Sequence, residues 1–112
     1  MRREILLLEE MIGAIEQIIK TAADVSEDEL SNDKNRRDAL LWNFTVLGEA
    51  SGQLSEEFKN EYSAIPWIQP SRLRNRIVHG YWSIDLSILL TVASDELPEF
   101  LVGVRSVLND LL

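Results

Sequence analysis

The chain contains no cysteine. A disulfide framework and a thiolate zinc site are thereby excluded. Histidine is almost as scarce, with a single copy at His79. Apolar runs are short, and none approaches the roughly 20 residues that cross a bilayer. The opening "MRREILLLEEMIG" carries two arginines but a broken apolar run, unlike a secretion signal. A cytoplasmic location without membrane contact is the expectation. Positive charge is in short supply as well: 11 Lys and Arg face 19 Asp and Glu, for a net charge of −8. Broad nonspecific affinity for nucleic acid needs many phosphate neutralisations, which this balance disfavours. A small basic site remains compatible with it. With five glycines and three prolines there is no glycine-rich phosphate loop, and neither a repeat nor a low-complexity tract is present.

What is there is spread along the chain. Hydrophobic residues make up 46% and charged residues 27%, a globular balance. A length of 112 residues suits one domain, residues 1–112, with a single core. The apolar spacing is helical throughout. From about Arg3 to Ala22, Ile5, Leu8, Ile12, Ile15 and Ile19 form one stripe and Leu7, Met11, Ala14 and Ile18 a second. Two stripes predict a helix covered on more than one side, inside a bundle or at a subunit interface. In "DVSEDELSND", Ser26 and Glu29 stand at capping-box spacing. Asn32 or Asp33 can cap the next helix, about Asn35 to Leu54. Its stripes are Leu40, Phe44, Leu47 and Ser51, then Ala39, Trp42, Val46 and Ala50. "LSEEFKNEY" either continues this helix or forms a short one of its own.

Pro66 and Pro70 bracket Trp67 and punctuate the chain. A helix over Ser71 to His79 follows, with Pro70 near its first turn and Gly80 as a left-handed stop. Asp85 or Ser83 can cap the last helix, whose apolar series runs from Leu86 to Leu111. Pro98 falls inside that series and predicts a kink or break near Glu96. The fold class is all-α, an antiparallel bundle of four or five helices.

Charge and chemistry concentrate in "RLRNRIVHGYW", Arg72 to Trp82. Asn75 and His79 are four apart and share a helix face, so Asn75 is placed to orient the imidazole. Arg74 and His79 are five apart and differ in direction by about 140°. A helix end at Gly80 favours cationic groups. Arginine grips a phosphate in fork geometry and stabilises charge in a transition state. Histidine moves protons near neutral pH. Together they suit cleavage of RNA by its own 2′-hydroxyl, which needs no metal or other cofactor. Acid and base are two groups, yet each chain has one histidine. A two-fold dimer with the site on its axis supplies two. The plainer alternative is a solvated helix end. Trp42 and Trp67 read as core or interface packing residues, and Trp82 as packing ahead of stacking on a base. Glu49, in "LGEA", either pairs with an arginine of the site or faces solvent. Arg36 and Arg37 extend a basic surface or form a solvated helix face.

These residues also resemble a known family. "RNRIVHGY" is similar to the HEPN signature of arginine, a polar residue, histidine and tyrosine. "DALLWNFTVLGEA", "IPW" and "VHGYWSIDLSILLTVASDELPEF" resemble its HepT-like branch in order and spacing, from Arg3 to about Leu108. The resemblance implies a dimerising helical bundle with a ribonuclease site at the subunit interface. It implies a toxin whose partner is an MNT-type nucleotidyltransferase antitoxin. Arg74 and His79 are then catalytic, Asn75 supports them, and Tyr81 accepts AMP from the antitoxin. Arg72 and Arg76 become candidate RNA contacts. A noncatalytic helical module that binds a nucleotide or the transferase, and presents Tyr81 as substrate, fits the same residues.

Overall fold

In the computed structural model, which describes residues 2–112, helix α1 spans Arg2–Ala22. Leu8, Met11, Ala14, Ile15 and Ile18 are buried, and they come from both apolar stripes. The stripes serve two neighbours within the chain, α3 (Lys34–Gln53) and α7 (Leu97–Leu111). The double stripe therefore serves the interior of the bundle, with Leu7, Ile12 and Ile19 half-buried against the same core. Leu6 is the one large apolar side chain of α1 that stands exposed among the described residues.

The chain turns after α1 through Asp24, at φ 56°, a left-handed position that a short polar side chain tolerates. The short α2 (Glu27–Asn32) then starts on the expected capping box. Ser26 Oγ accepts from the Glu29 N–H at 3.1 Å, and Glu29 Oε1 accepts from the Ser26 N–H at 3.1 Å. Asp33 caps α3, its carboxylate accepting from the Arg36 N–H at 3.1 Å. In α3, Leu40, Phe44, Leu47 and Ser51 are all buried, as their stripe predicts. The other stripe sinks only at Ala50, and Trp42 is 66% exposed.

"SEEFKNE" is a separate helix, α4 (Glu56–Glu61), because Ser55 restarts the chain as an N-cap. Tyr62, Phe58, Trp67 and Phe100 form, in that order, an aromatic chain with centroid spacings of 5.0, 5.8 and 6.3 Å. Trp67 is buried there, its indole N–H donating to the Tyr62 carbonyl at 3.0 Å. Helix α5 (Ile68–His79) begins three residues before the expected Ser71. Pro70 still lies in its first turn, where a missing N–H has no helical acceptor to lose. After a single 3₁₀ turn, Tyr81–Ser83, comes α6 (Leu86–Thr91), capped by Asp85 through the Ser87 N–H at 2.9 Å. A wider π stretch, Val92–Glu96, joins α6 to α7. It lies just before Pro98, so the expected discontinuity is a widened turn rather than a break.

The four long segments alternate in direction. Arg3 reaches Gln53 and Arg36 reaches the Thr21 carbonyl, which sets α1 against α3. Ser51 Oγ donates to the Trp67 carbonyl at 2.5 Å at one end of the α3–α5 pair, and Tyr81 meets Asp38 at the other. The architecture is an antiparallel all-α bundle of four long helical segments with short helices at the turns, without a strand among the described residues. Among those residues no helix is long and apolar enough to cross a membrane.

Gly48 sets the α3–α5 spacing. A Cβ there would lie 2.2 Å from Arg74 Cβ and 2.5 Å from the Pro70 carbonyl oxygen. Only a residue without a side chain lets the two helices approach this closely. On its other side α5 stands off from α6 and α7 across a groove of about 780 Å³.

Candidate active site at the end of helix α5

Helix α5 ends at His79, and the Gly80 N–H reaches back to the Ile77 carbonyl at 3.4 Å. Gly80 has φ −147°, so the stop is not the expected left-handed cap. Crowding accounts for a residue this small. A Cβ would lie 3.2 Å from Ser83 Oγ and 3.3 Å from the Arg76 carbonyl oxygen. The 3₁₀ turn that follows folds Ser83 back onto Gly80, with N–H to carbonyl at 2.9 Å.

Arg74 lies on the face of α5 that meets α3. Its Nη2 pairs with Glu49 Oε2 at 3.0 Å, and its Nη1 donates to Asn75 Oδ1 at 2.6 Å. Its Nε is buried and has no partner. Glu49 is therefore the partner of a site arginine, one of the two roles open to it in the sequence. No hydrogen bond joins Asn75 to His79 among the described residues. The Asn75 carbonyl oxygen accepts from the neighbouring guanidinium, a charge-assisted bond. His79 is exposed and makes no side-chain hydrogen bond among the described residues.

Tyr81 Oη donates to Asp38 Oδ1 at 2.5 Å, and Lys34 Nζ holds Asp38 Oδ2 at 2.6 Å. The hydrogen bond to Asp38, helped by partial desolvation, raises the Tyr81 phenol above its ordinary value. The Lys34 and Tyr81 hydrogen bonds hold the Asp38 carboxyl below its own. Sequence reasoning missed Asp38. A signal existed: Asp38, Trp42, Thr45 and Glu49 recur at i, i+4, i+7 and i+11, one face of α3. Its two acids grip Tyr81 at one end and Arg74 at the other.

The three arginines of the motif divide between two faces. Arg72 and Arg76 line the groove toward α6 and α7, opposite Asp95, Glu96 and Glu99, while Arg74 faces α3. A two-residue step on a helix is about 200°, which accounts for the split. Arg36 and Arg37 are tethers, donating to the carbonyls of Thr21 and Ser31 at 3.1 Å each. Trp82 is 89% exposed and Val78 51%, so with Trp42 they leave apolar surface beside the motif. Trp67 packs in the core, whereas Trp42 and Trp82 are exposed within one chain. Among the described residues, no group of three or more His, Asp or Glu side chains converges as metal ligands do.

A helical bundle presenting an arginine, a polar neighbour, a histidine and a tyrosine around one helix end defines a class, the HEPN-type domain. Residues 11–107 match the family model "Ribonuclease HepT-like". The chain belongs to the HepT-like ribonuclease family. It is 28% identical over 104 residues to a candidate RNase of Methanocaldococcus jannaschii, covering 93% of this chain and 86% of that one. A candidate ribonuclease HepT of Thermococcus cleftensis is 28% identical over 91 residues, 81% and 83% of the two chains. A candidate RNase of Caldanaerobacter subterraneus is 25% identical over 102 residues, 91% of each. No solved structure gives a significant match.

Proposed function

We propose that the chain is a metal-independent endoribonuclease toxin that works as a two-fold dimer in the cytoplasm. The observation that carries the reading is the placement of Arg74 on α5 and of the single histidine at the end of that helix, within a chain of the HepT-like family. In this reading two copies bring their α5 ends together around one phosphodiester. One His79 takes the proton from the ribose 2′-oxygen as that oxygen attacks phosphorus. The other protonates the departing 5′-oxygen, leaving a 2′,3′-cyclic phosphate and a free 5′-hydroxyl. Arg74 stabilises the charge that builds on the phosphoryl oxygens. Asn75 and Glu49 hold the guanidinium, and Arg72 and Arg76 serve as outer RNA contacts. Trp42, Val78 and Trp82 supply exposed apolar surface for the second copy.

Tyr81 is the control point, the acceptor of AMP from an MNT-type nucleotidyltransferase antitoxin. An adenylyl group there adds an anion and bulk that repel an RNA phosphate. RNA incubated with wild-type protein in EDTA should be cut to cyclic-phosphate ends, and His79→Ala should leave it intact. Equal cleavage by both proteins refutes the mechanism. A second reading has one observation in its favour: Glu49 already neutralises Arg74 in an acidic chain. On that reading the chain is a noncatalytic module presenting Tyr81 to the transferase. RNA left intact by high concentrations of wild-type protein would support it.

A further inference from the structure

We propose that Asp38 is a positioning residue for this site, holding the turn that carries His79 through the phenol of Tyr81. The role rests on the ribonuclease reading above. Segment 79–83 makes few fixed contacts. The Gly80 N–H reaches Ile77, and both the Ser83 N–H and its hydroxyl reach the Gly80 carbonyl, all within the segment or its own helix. Among the described residues the Tyr81–Asp38 bond, spanning 43 positions, is the hydrogen bond that ties this segment to another helix.

The anchor at the other end is firm. Asp38 lies one turn from Leu41, which with Leu40 and Phe44 is buried in the core. Lys34 fixes its second oxygen at 2.6 Å, so the first is aimed at Tyr81. His79 precedes Tyr81 by two residues and has no hydrogen bond of its own to set its position. Where the Tyr81 phenol is held, the backbone under the imidazole is held with it. The charged groups facing the phenol are Asp38, Lys34 and Arg37. The arrangement also gives an adduct on Tyr81 Oη a second effect. Esterification removes the proton that Asp38 accepts and places an anion against a carboxylate. The bond that steadies the turn then becomes a repulsion.

The test uses the full chain and two readouts. The chain has two tyrosines, so a Tyr62→Phe background leaves Tyr81 as its only phenol. Ultraviolet titration of that protein should show a phenol ionising above its ordinary range, and Asp38→Ala should bring it back. In RNA cleavage, Asp38→Ala should lower kcat by roughly ten- to a hundredfold with little change in KM, the scale for a small misplacement of a reacting group. Asp38→Asn, whose amide oxygen still accepts from the phenol, should recover much of that loss. Tyr81→Phe should match Asp38→Ala, and the double variant should lose no more than either single one, as residues acting through one bond do. The proposal is overturned if Asp38→Ala cleaves like wild type, if the two losses add independently, or if the wild-type phenol titrates normally. Wild-type protein that leaves RNA intact refutes the ribonuclease reading and this role with it, whatever the titration shows.

Discussion

Gly48→Ala tests whether helix spacing builds the site. The added Cβ would lie 2.2 Å from Arg74 Cβ and 2.5 Å from the Pro70 carbonyl oxygen. Neither neighbour is the free end of a flexible side chain. Reaching an ordinary contact near 3.4 Å requires α5 to back away by roughly 1.2 Å. Overpacking of this kind costs up to about 3 kcal/mol. The better helix propensity of alanine returns about 1 kcal/mol. The net loss is about 2 kcal/mol, a fall in Tm of roughly 8 °C for a domain of this size. Because α5 carries Arg74, cleavage should fall by roughly a hundredfold even where the variant is folded. Gly13→Ala is the control, since nothing lies within 4 Å of a Cβ at that position in α1. It should gain about 1 kcal/mol and cleave normally. Thermal melts by circular dichroism and an RNA cleavage assay read both. A Gly48→Ala protein as stable and active as Gly13→Ala would refute the argued register of α3 on α5.

Three other outcomes are expected. Ser51→Ala removes the buried hydroxyl that bonds the Trp67 carbonyl and should cost about 1 kcal/mol in urea denaturation. The hydrogen bond to Asp110 pushes the Tyr62 phenol up to about 12. That raised value stabilises the fold fully below the ordinary tyrosine range, and the contribution fades as pH rises through about 12. Tyr62→Phe should therefore flatten the alkaline limb of the stability–pH curve, measured by denaturant titration. Trp42 and Trp82 are exposed in one chain and Trp67 is buried. If the face bearing Trp42 and Trp82 joins two copies, acrylamide should quench fluorescence strongly in dilute protein and weakly in concentrated protein. Strong quenching at every concentration would exclude that face.

Local signals were well read in the sequence. The capping box at Ser26 and Glu29, the caps at Asp33 and Asp85, and the discontinuity before Pro98 depend on residues within a turn of each other. The buried stripe of α3 follows from period alone. What was not legible depends on which side chains meet. Asn75 shares a face with His79, yet its carbonyl oxygen accepts from the adjacent Arg74. Asp38 stayed hidden because its link to Tyr81 spans 43 positions and exists only at the register that Gly48 permits. The second stripe of α1 could mean a neighbour or a partner, and only the placement of α3 and α7 decides for a neighbour. Trp42 and Trp82 illustrate the same limit, since residue type alone does not tell which face of a helix is covered.

The sharpest measurement is subunit mixing. Wild-type and His79→Ala proteins are purified, then unfolded and refolded together at set ratios so that mixed dimers form, and incubated with RNA in EDTA. A single site on the two-fold axis, with one His79 as base and the other as acid, predicts that only dimers of two wild-type chains cleave, so activity falls as the square of the wild-type fraction. Activity that falls in simple proportion to that fraction, or His79→Ala protein as active as wild type, contradicts the account.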